Sequence, residues 1–136
     1  MGQEVLVDER IDAGAEFVRQ FNDYASVAAA FWINPAESGE WYLYIASDEI
    51  DDSNVDVAYA EVGQRLRGSA SSTRPWLDPF RIKLISAADP LASEVVHIRD
   101  RFPTTQPTWY HGTSIAGMGI GEAYIYPPLA ATKSAP

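Results

Sequence analysis

Two histidines, His97 and His111, are the side chains of this chain whose ordinary titration lies nearest neutral pH. Beside a carboxylate, an imidazole can move a proton or help hold a metal ion. His111 with Glu122 or Asp100 is therefore the candidate for a small catalytic or ligand-binding pocket. The spacing of the two histidines fits no metal motif, so no metal ligand is assigned. Asp52-x-Asn54-x-Asp56 repeats the first three positions of a calcium loop. Its sixth position is Val57 where glycine is needed, and its twelfth is Gly63 where a bidentate glutamate is needed. Helix capping accounts for the same residues. Gly117-x-Gly119-x-Gly121 is followed by AYIYPP, a strand-like run, so no helix N-terminus is available to aim amides at a phosphate. A bulge explains those glycines. Asp51 and Asp52 could share a proton, but in a solvated turn they repel and stay ionised. No G-x-S-x-G or H-E-x-x-H occurs. No catalytic residue and no cofactor is assigned, and the balance leans away from an enzyme.

The elements that would carry these groups follow from periodicity. Val27–Ile33 and Trp41–Ser47 read as the arms of a β-hairpin, closed through Asn34-Pro35-Ala36-Glu37-Ser38-Gly39-Glu40. Strand alternation puts Trp41, Leu43 and Ile45 on one face, and Tyr42, Tyr44 and Ala46 on the other. The tyrosine face is either covered or a contact surface. A first helix runs from Asp8 or Asp12 to about Tyr24, with Ile11, Ala15, Val18 and Phe21 or Asn22 near helical spacing and Phe17 with Tyr24 widening the stripe. Val55, Tyr59, Val62 and Leu66 mark a second helix, capped by Ser53 and Asp56. Phe80, Ile82 and Leu84 point inward from a strand whose Arg81 and Lys83 point outward. Asp89-Pro90 starts a third helix with Leu91, Val95, Ile98 and Phe102 buried. Thr108–Ser114 is a short edge strand, Gly117–Gly121 a turn or bulge, and Glu122–Tyr126 the last strand.

The expected order is α-β-β-α-β-α-β-β. The expected class is α+β: a mixed, mainly antiparallel sheet of about four or five strands, with about three helices on one face. Residues 1–126 form one domain and 127–136 a flexible tail; a chain of 136 residues is of single-domain size.

Phe31-Trp32-x4-Glu37-Ser38-Gly39-Glu40-Trp41-x-Leu43-x-Ile45-Ala46-Ser47, with Glu122-Ala123-Tyr124-Ile125-Tyr126 near the end, resembles a family of short uncharacterised bacterial proteins. The likeness covers roughly Ile11 to Tyr126. Its motifs are structural and the family has no assigned activity, so the resemblance implies no site residue. Tyr110-His111-Gly112-Thr113-Ser114 resembles the first-strand histidine motif of ADP-ribosyltransferases, in which the histidine positions a nicotinamide cofactor. That fold needs a long catalytic region afterwards, and 22 residues (136 − 114) follow Ser114. The five-residue match is taken as a strand-end histidine.

Charge bears on function most directly. The net charge is -9, from 19 acidic and 10 basic residues. No Lys or Arg stands between Arg19 and Arg65, while Asp23, Glu37, Glu40, Asp48, Glu49, Asp51, Asp52, Asp56 and Glu61 do. Such a half repels phosphates, which argues against nucleic-acid binding and favours a basic partner. No apolar run approaches the ~18 residues that cross a bilayer. Absent cysteines exclude disulfides and thiolate chemistry and, with no signal peptide at the N-terminus, fit a cytoplasmic protein. The expectation is a non-enzymatic interaction module, of inhibitor or immunity type, meeting a basic protein through Glu40, Tyr42, Tyr44, Asp48, Glu49, Asp51 and Asp52. The alternatives are a homo-oligomer built on the hairpin tyrosines and a ligand binder at His111.

Overall fold

Aromatic and β-branched residues concentrate in the segment predicted to be a hairpin, and it forms the middle of the sheet. The computed structural model describes residues 8–35, 40–68, 77–101, 106–112 and 114–128. Its elements are α1 (Asp8–Phe21), β1 (Ala29–Pro35), β2 (Tyr42–Ser47), α2 (Val55–Gly68), β3 (Ile82–Ser86), α3 (Pro90–Asp100), β4 (Thr108–Tyr110), β5 (Ser114–Ile115) and β6 (Met118–Ile125). The strand order is β3-β2-β1-β6-β4, with β5 paired to the start of β6. Every pairing is antiparallel except β2 with β3, which α2 connects as a crossover. The fold is α+β with a mixed, mainly antiparallel sheet.

Alternation along the strands divides the core in two. Trp32, Trp41, Leu43, Ile45, Ile82, Leu84 and Tyr124 face one side, where Phe17, Val18 and Phe21 of α1 and Ala58 and Val62 of α2 cover them. Ala29, Phe31, Ile33, Ala46, Ala123 and Ile125 face the other side, under Leu91, Val95 and Ile98 of α3. The expected single helical layer is therefore corrected: α1 and α2 lie on one face and α3 on the other. The cause is legible in β1, whose residues from Ala29 to Asn34 are all buried. A strand apolar on both faces needs cover on both.

Gly121 reconciles this alternation with β6. Asn34 pairs with Glu122 but Pro35 pairs with Ile120, so Gly121 is the extra residue of a bulge. The bulge returns Ile120 to the α3 side with Ala123 and Ile125. The turn proper is shorter than expected. Ala116 (φ 51°) and Gly117 (φ 84°) close the β5–β6 hairpin, and Met118 already belongs to β6.

Three local expectations change. Phe80 is 86 % exposed rather than inward, because Pro79–Arg81 is a single 3-10 turn capped by Asp78, and the strand begins only at Ile82. Ser53 does not build the expected capping box; its hydroxyl donates to Asp51 Oδ1. α1 ends at Phe21, with Tyr24 in the following turn. The cap of α3 is as expected, since Asp89 accepts from the Leu91 amide at 2.9 Å and Pro90 occupies the first turn. The hairpin loop 36–39, Phe102 and the tail from 129 lie outside the described residues.

Tertiary polar contacts fix the layers. Tyr126 Oη donates to Ile11 O at 2.7 Å and accepts from Trp32 Nε1 at 2.8 Å, locking α1 to the sheet. Burial holds that phenol well above its ordinary pKa, against the lowering effect of the Trp32 donor. Arg65 on α2 reaches Gln20 O at 3.0 Å, supplying a cation and a donor to the C-terminal end of α1. Leu84 N–H, on the edge strand β3, donates to Tyr59 Oη at 2.9 Å. That contact blunts one edge of the sheet.

Candidate functional site

β4 ends the sheet at its other edge, and there the aromatic core reaches the surface. Trp109 is 46 % exposed. Its ring meets Tyr124 edge-on at 4.9 Å and Trp41 edge-on at 6.5 Å, and stacks with His111 at 6.4 Å. The geometry follows from pairing. Trp109 stands opposite Tyr124, and alternation returns His111 to the face of Trp109. His111 Nδ1 lies 3.4 Å from Glu122 Oε2, which makes an ion pair when the imidazole is protonated. The structure thus brings His111 and Glu122 together, as the sequence suggested. Their side chains are 64 % and 43 % exposed, so they form an open surface pair. Burial raises the Tyr124 phenol pKa first, and the charges of Asp12 and Asp8 raise it further.

No family model, curated protein or solved structure matches the chain.

The residues expected to share one interface fall into two places. At one end of β2, Glu40 receives the Tyr42 hydroxyl at 3.3 Å and pairs with Arg81 Nη2 at 3.4 Å. Lys83 Nζ sits 5.4 Å over the Tyr42 ring. Tyr44 stacks flat on Phe31 at 5.4 Å and is half-buried, and desolvation raises its phenol pKa. These three residues are largely engaged within the fold. Asp48, Glu49, Asp51 and Asp52 lie beyond the other end of β2, about 20 Å from Tyr42 at a strand's rise of ~3.3 Å per residue.

That acidic turn is rigidly built. Ile50 is buried and anchors it to the core. Ser47 Oγ accepts from the Glu49 amide at 3.0 Å. Asn54 accepts from the Asp51 amide at 2.9 Å and donates to Glu49 O at 2.8 Å. The Ser53 hydroxyl and amide both donate to Asp51, at 2.6 and 2.9 Å, and lower its pKa. Asn54 therefore serves the turn, and the calcium-like spacing needs no ion to explain it. Among the described residues no group of three or more His, Asp or Glu is placed to hold a metal, and no helix is long and apolar enough to cross a membrane.

Trp109 and the pair Arg19 and Arg99 were not legible as site residues. Trp109 sat inside the short edge strand expected over Thr108–Ser114, of which β4 keeps only Thr108–Tyr110. The arginines share a pocket made by three elements far apart in sequence.

Proposed function

We propose that the protein is a non-enzymatic interaction module that receives a basic partner. The observation behind this reading is Trp109: a large indole left 46 % exposed at a sheet edge. Its neighbour Tyr124 feels the charges of Asp8 and Asp12, and its stacking partner His111 pairs with Glu122. Tryptophan is the residue type most enriched among interface anchors. A Lys or Arg side chain placed on that ring meets the π face, with the Glu122 carboxylate beyond His111 as the nearby charge. The fixed acidic turn, Asp48 to Asp52, adds a field that speeds approach of a cation without itself forming the anchor. An inhibitor or immunity-type protein is one concrete form.

The test is capture from lysate of the source organism at low and high salt, with wild type beside Trp109→Ala and a variant neutral at Asp48, Glu49, Asp51 and Asp52. A stoichiometric basic protein held by wild type, lost at high salt and lost with Trp109→Ala supports the reading. Identical capture by all three forms refutes it. Recovery of the protein alone turns the reading toward self-association.

A further inference from the structure

Where β1 begins and β6 ends, a pocket of about 190 Å³ lies between α1 and the last turn of α3. Its walls are apolar: Val18 from α1, Val27 to Ala30, the Tyr126 side chain and Pro127-Pro128. Among the described residues, the charged members of the lining are Arg19 and Arg99, with no carboxylate beside them in it. In a chain of 19 acidic and 10 basic residues, a lining whose charged groups are both arginines offers donors to an anion that can displace the exposed carboxylates paired with them outside the lining.

The two guanidinia differ in kind. Arg99 is 12 % exposed and held in place, with Nη1 donating to Ala28 O at 3.1 Å and Nε to Asp100 at 3.0 Å. These bonds set the plane of the fork and engage two of its five N–H groups. Arg19 pairs with Glu16 and is 61 % exposed, so it can swing over the mouth. Asp100 and Glu16 are themselves 57 % and 53 % exposed. Such surface pairs are weak and give way to a better-held anion. The phenol of Tyr126 is already committed to Ile11 and Trp32, so it offers the pocket a ring rather than a hydroxyl.

We propose that this pocket binds a small monocarboxylate. Its ring or short acyl body sits among Val18, Val27, Tyr126 and Pro127, and its carboxylate sits on the Arg99 fork with Arg19 closing over it. Size agrees, because an apolar cavity of about 150 Å³ accommodates benzene. Arginine is suited to the task, because its fork matches both carboxylate oxygens.

Amide NMR of the full chain, titrated with benzoate and with hexanoate and then with the matching neutral amides, tests this. Saturable shifts are expected on Val18, Val27 to Ala30 and Tyr126, with a Kd on the order of 1 mM or tighter for the better carboxylate. The neutral amides bind at least about tenfold more weakly, and Arg99→Gln weakens the carboxylate by about tenfold. Because Arg99 also ties Ala28, two further variants guard against misfolding. Arg19→Gln, at an exposed position, weakens binding roughly threefold. Ala28→Phe, from an exposed position beside the mouth, blocks it. No saturable shift with either carboxylate, equal affinity for the neutral amides, or unchanged binding in Ala28→Phe overturns the proposal.

Discussion

Replacing Gly14 by alanine sets two opposed effects against each other. Alanine in a helix interior is favoured over glycine by about 0.8–1 kcal/mol. Gly14 is buried inside α1, however, where a Cβ would lie 2.4 Å from Tyr126 Oη and 3.1 and 3.2 Å from Trp32 Cζ2 and Nε1. The hydroxyl cannot simply move aside, because it is held between Ile11 O at 2.7 Å and Trp32 Nε1 at 2.8 Å. Restoring contact distance takes a shift of about 1 Å, which breaks both bonds or pushes α1 off the sheet. Each bond lost costs about 1 kcal/mol, and overpacking adds roughly 1–3 kcal/mol. The clash outweighs the helix gain, and Gly14→Ala is expected to destabilise by about 2–4 kcal/mol. With a urea m-value of ~1.5 kcal/mol/M, the unfolding midpoint falls by about 1.3–2.7 M. Tyr126→Phe alone also destabilises, by about 1–3 kcal/mol, because it strands the Trp32 donor. Combined, the new methyl enters the space the hydroxyl leaves, so the double variant is less destabilised than the sum by about 1 kcal/mol or more. A stabilised Gly14→Ala, or strict additivity in the cycle, would refute the close packing of α1 on Trp32 and Tyr126.

Other outcomes follow from the same fold. Ala116 sits at positive φ in the β5–β6 turn, so Ala116→Gly should raise stability by about 0.5–1 kcal/mol, measured by thermal or urea unfolding. Tyr59→Phe leaves the Leu84 amide of the edge strand unpaired; a loss of about 0.5–1.5 kcal/mol and greater self-association on sedimentation are expected. Tyr44, Tyr124 and Tyr126 all have phenol pKa values raised in the folded state, by burial first. Above pH ~10 the unfolded chain ionises these phenols while the fold keeps their protons, so stability is full below that pH and falls as pH rises through the alkaline range. Phenolate absorbance should show a subset of the seven tyrosines titrating only as the chain unfolds. A single unperturbed transition for all seven would contradict the burial assigned to them.

The local order of elements was legible because alternation and capping are local signals. Trp41, Leu43 and Ile45 read as one face and form one core, and Asp89-Pro90 read as a helix start and is one. What failed was long-range. The sequence of α3 shows an apolar stripe but not which side of the sheet receives it; only the two-sided burial of β1 decides that. Phe80 matched the period of the strand that follows, yet Asp78-Pro79 made a turn of it. The acidic turn was found where its residues suggested. Glu40 and Tyr42, by contrast, turned out to be partners of Arg81 and Lys83, neighbours that only the parallel β2–β3 pairing supplies. His111 with Glu122 follows from β4 pairing with β6, but the exposure of the pair, like that of Trp109, is set by long-range packing that no local pattern encodes.

The central claim is that a basic partner docks on Trp109 and is steered by the acidic turn. The most direct test is the affinity of the captured partner at a series of salt concentrations, for wild type, Trp109→Ala and the form neutral at Asp48, Glu49, Asp51 and Asp52. Loss of about 2 kcal/mol or more for Trp109→Ala at every salt is expected, with a smaller loss for the neutral turn that vanishes at high salt. Wild-type affinity in Trp109→Ala, or a salt dependence unchanged by neutralising the turn, would contradict it.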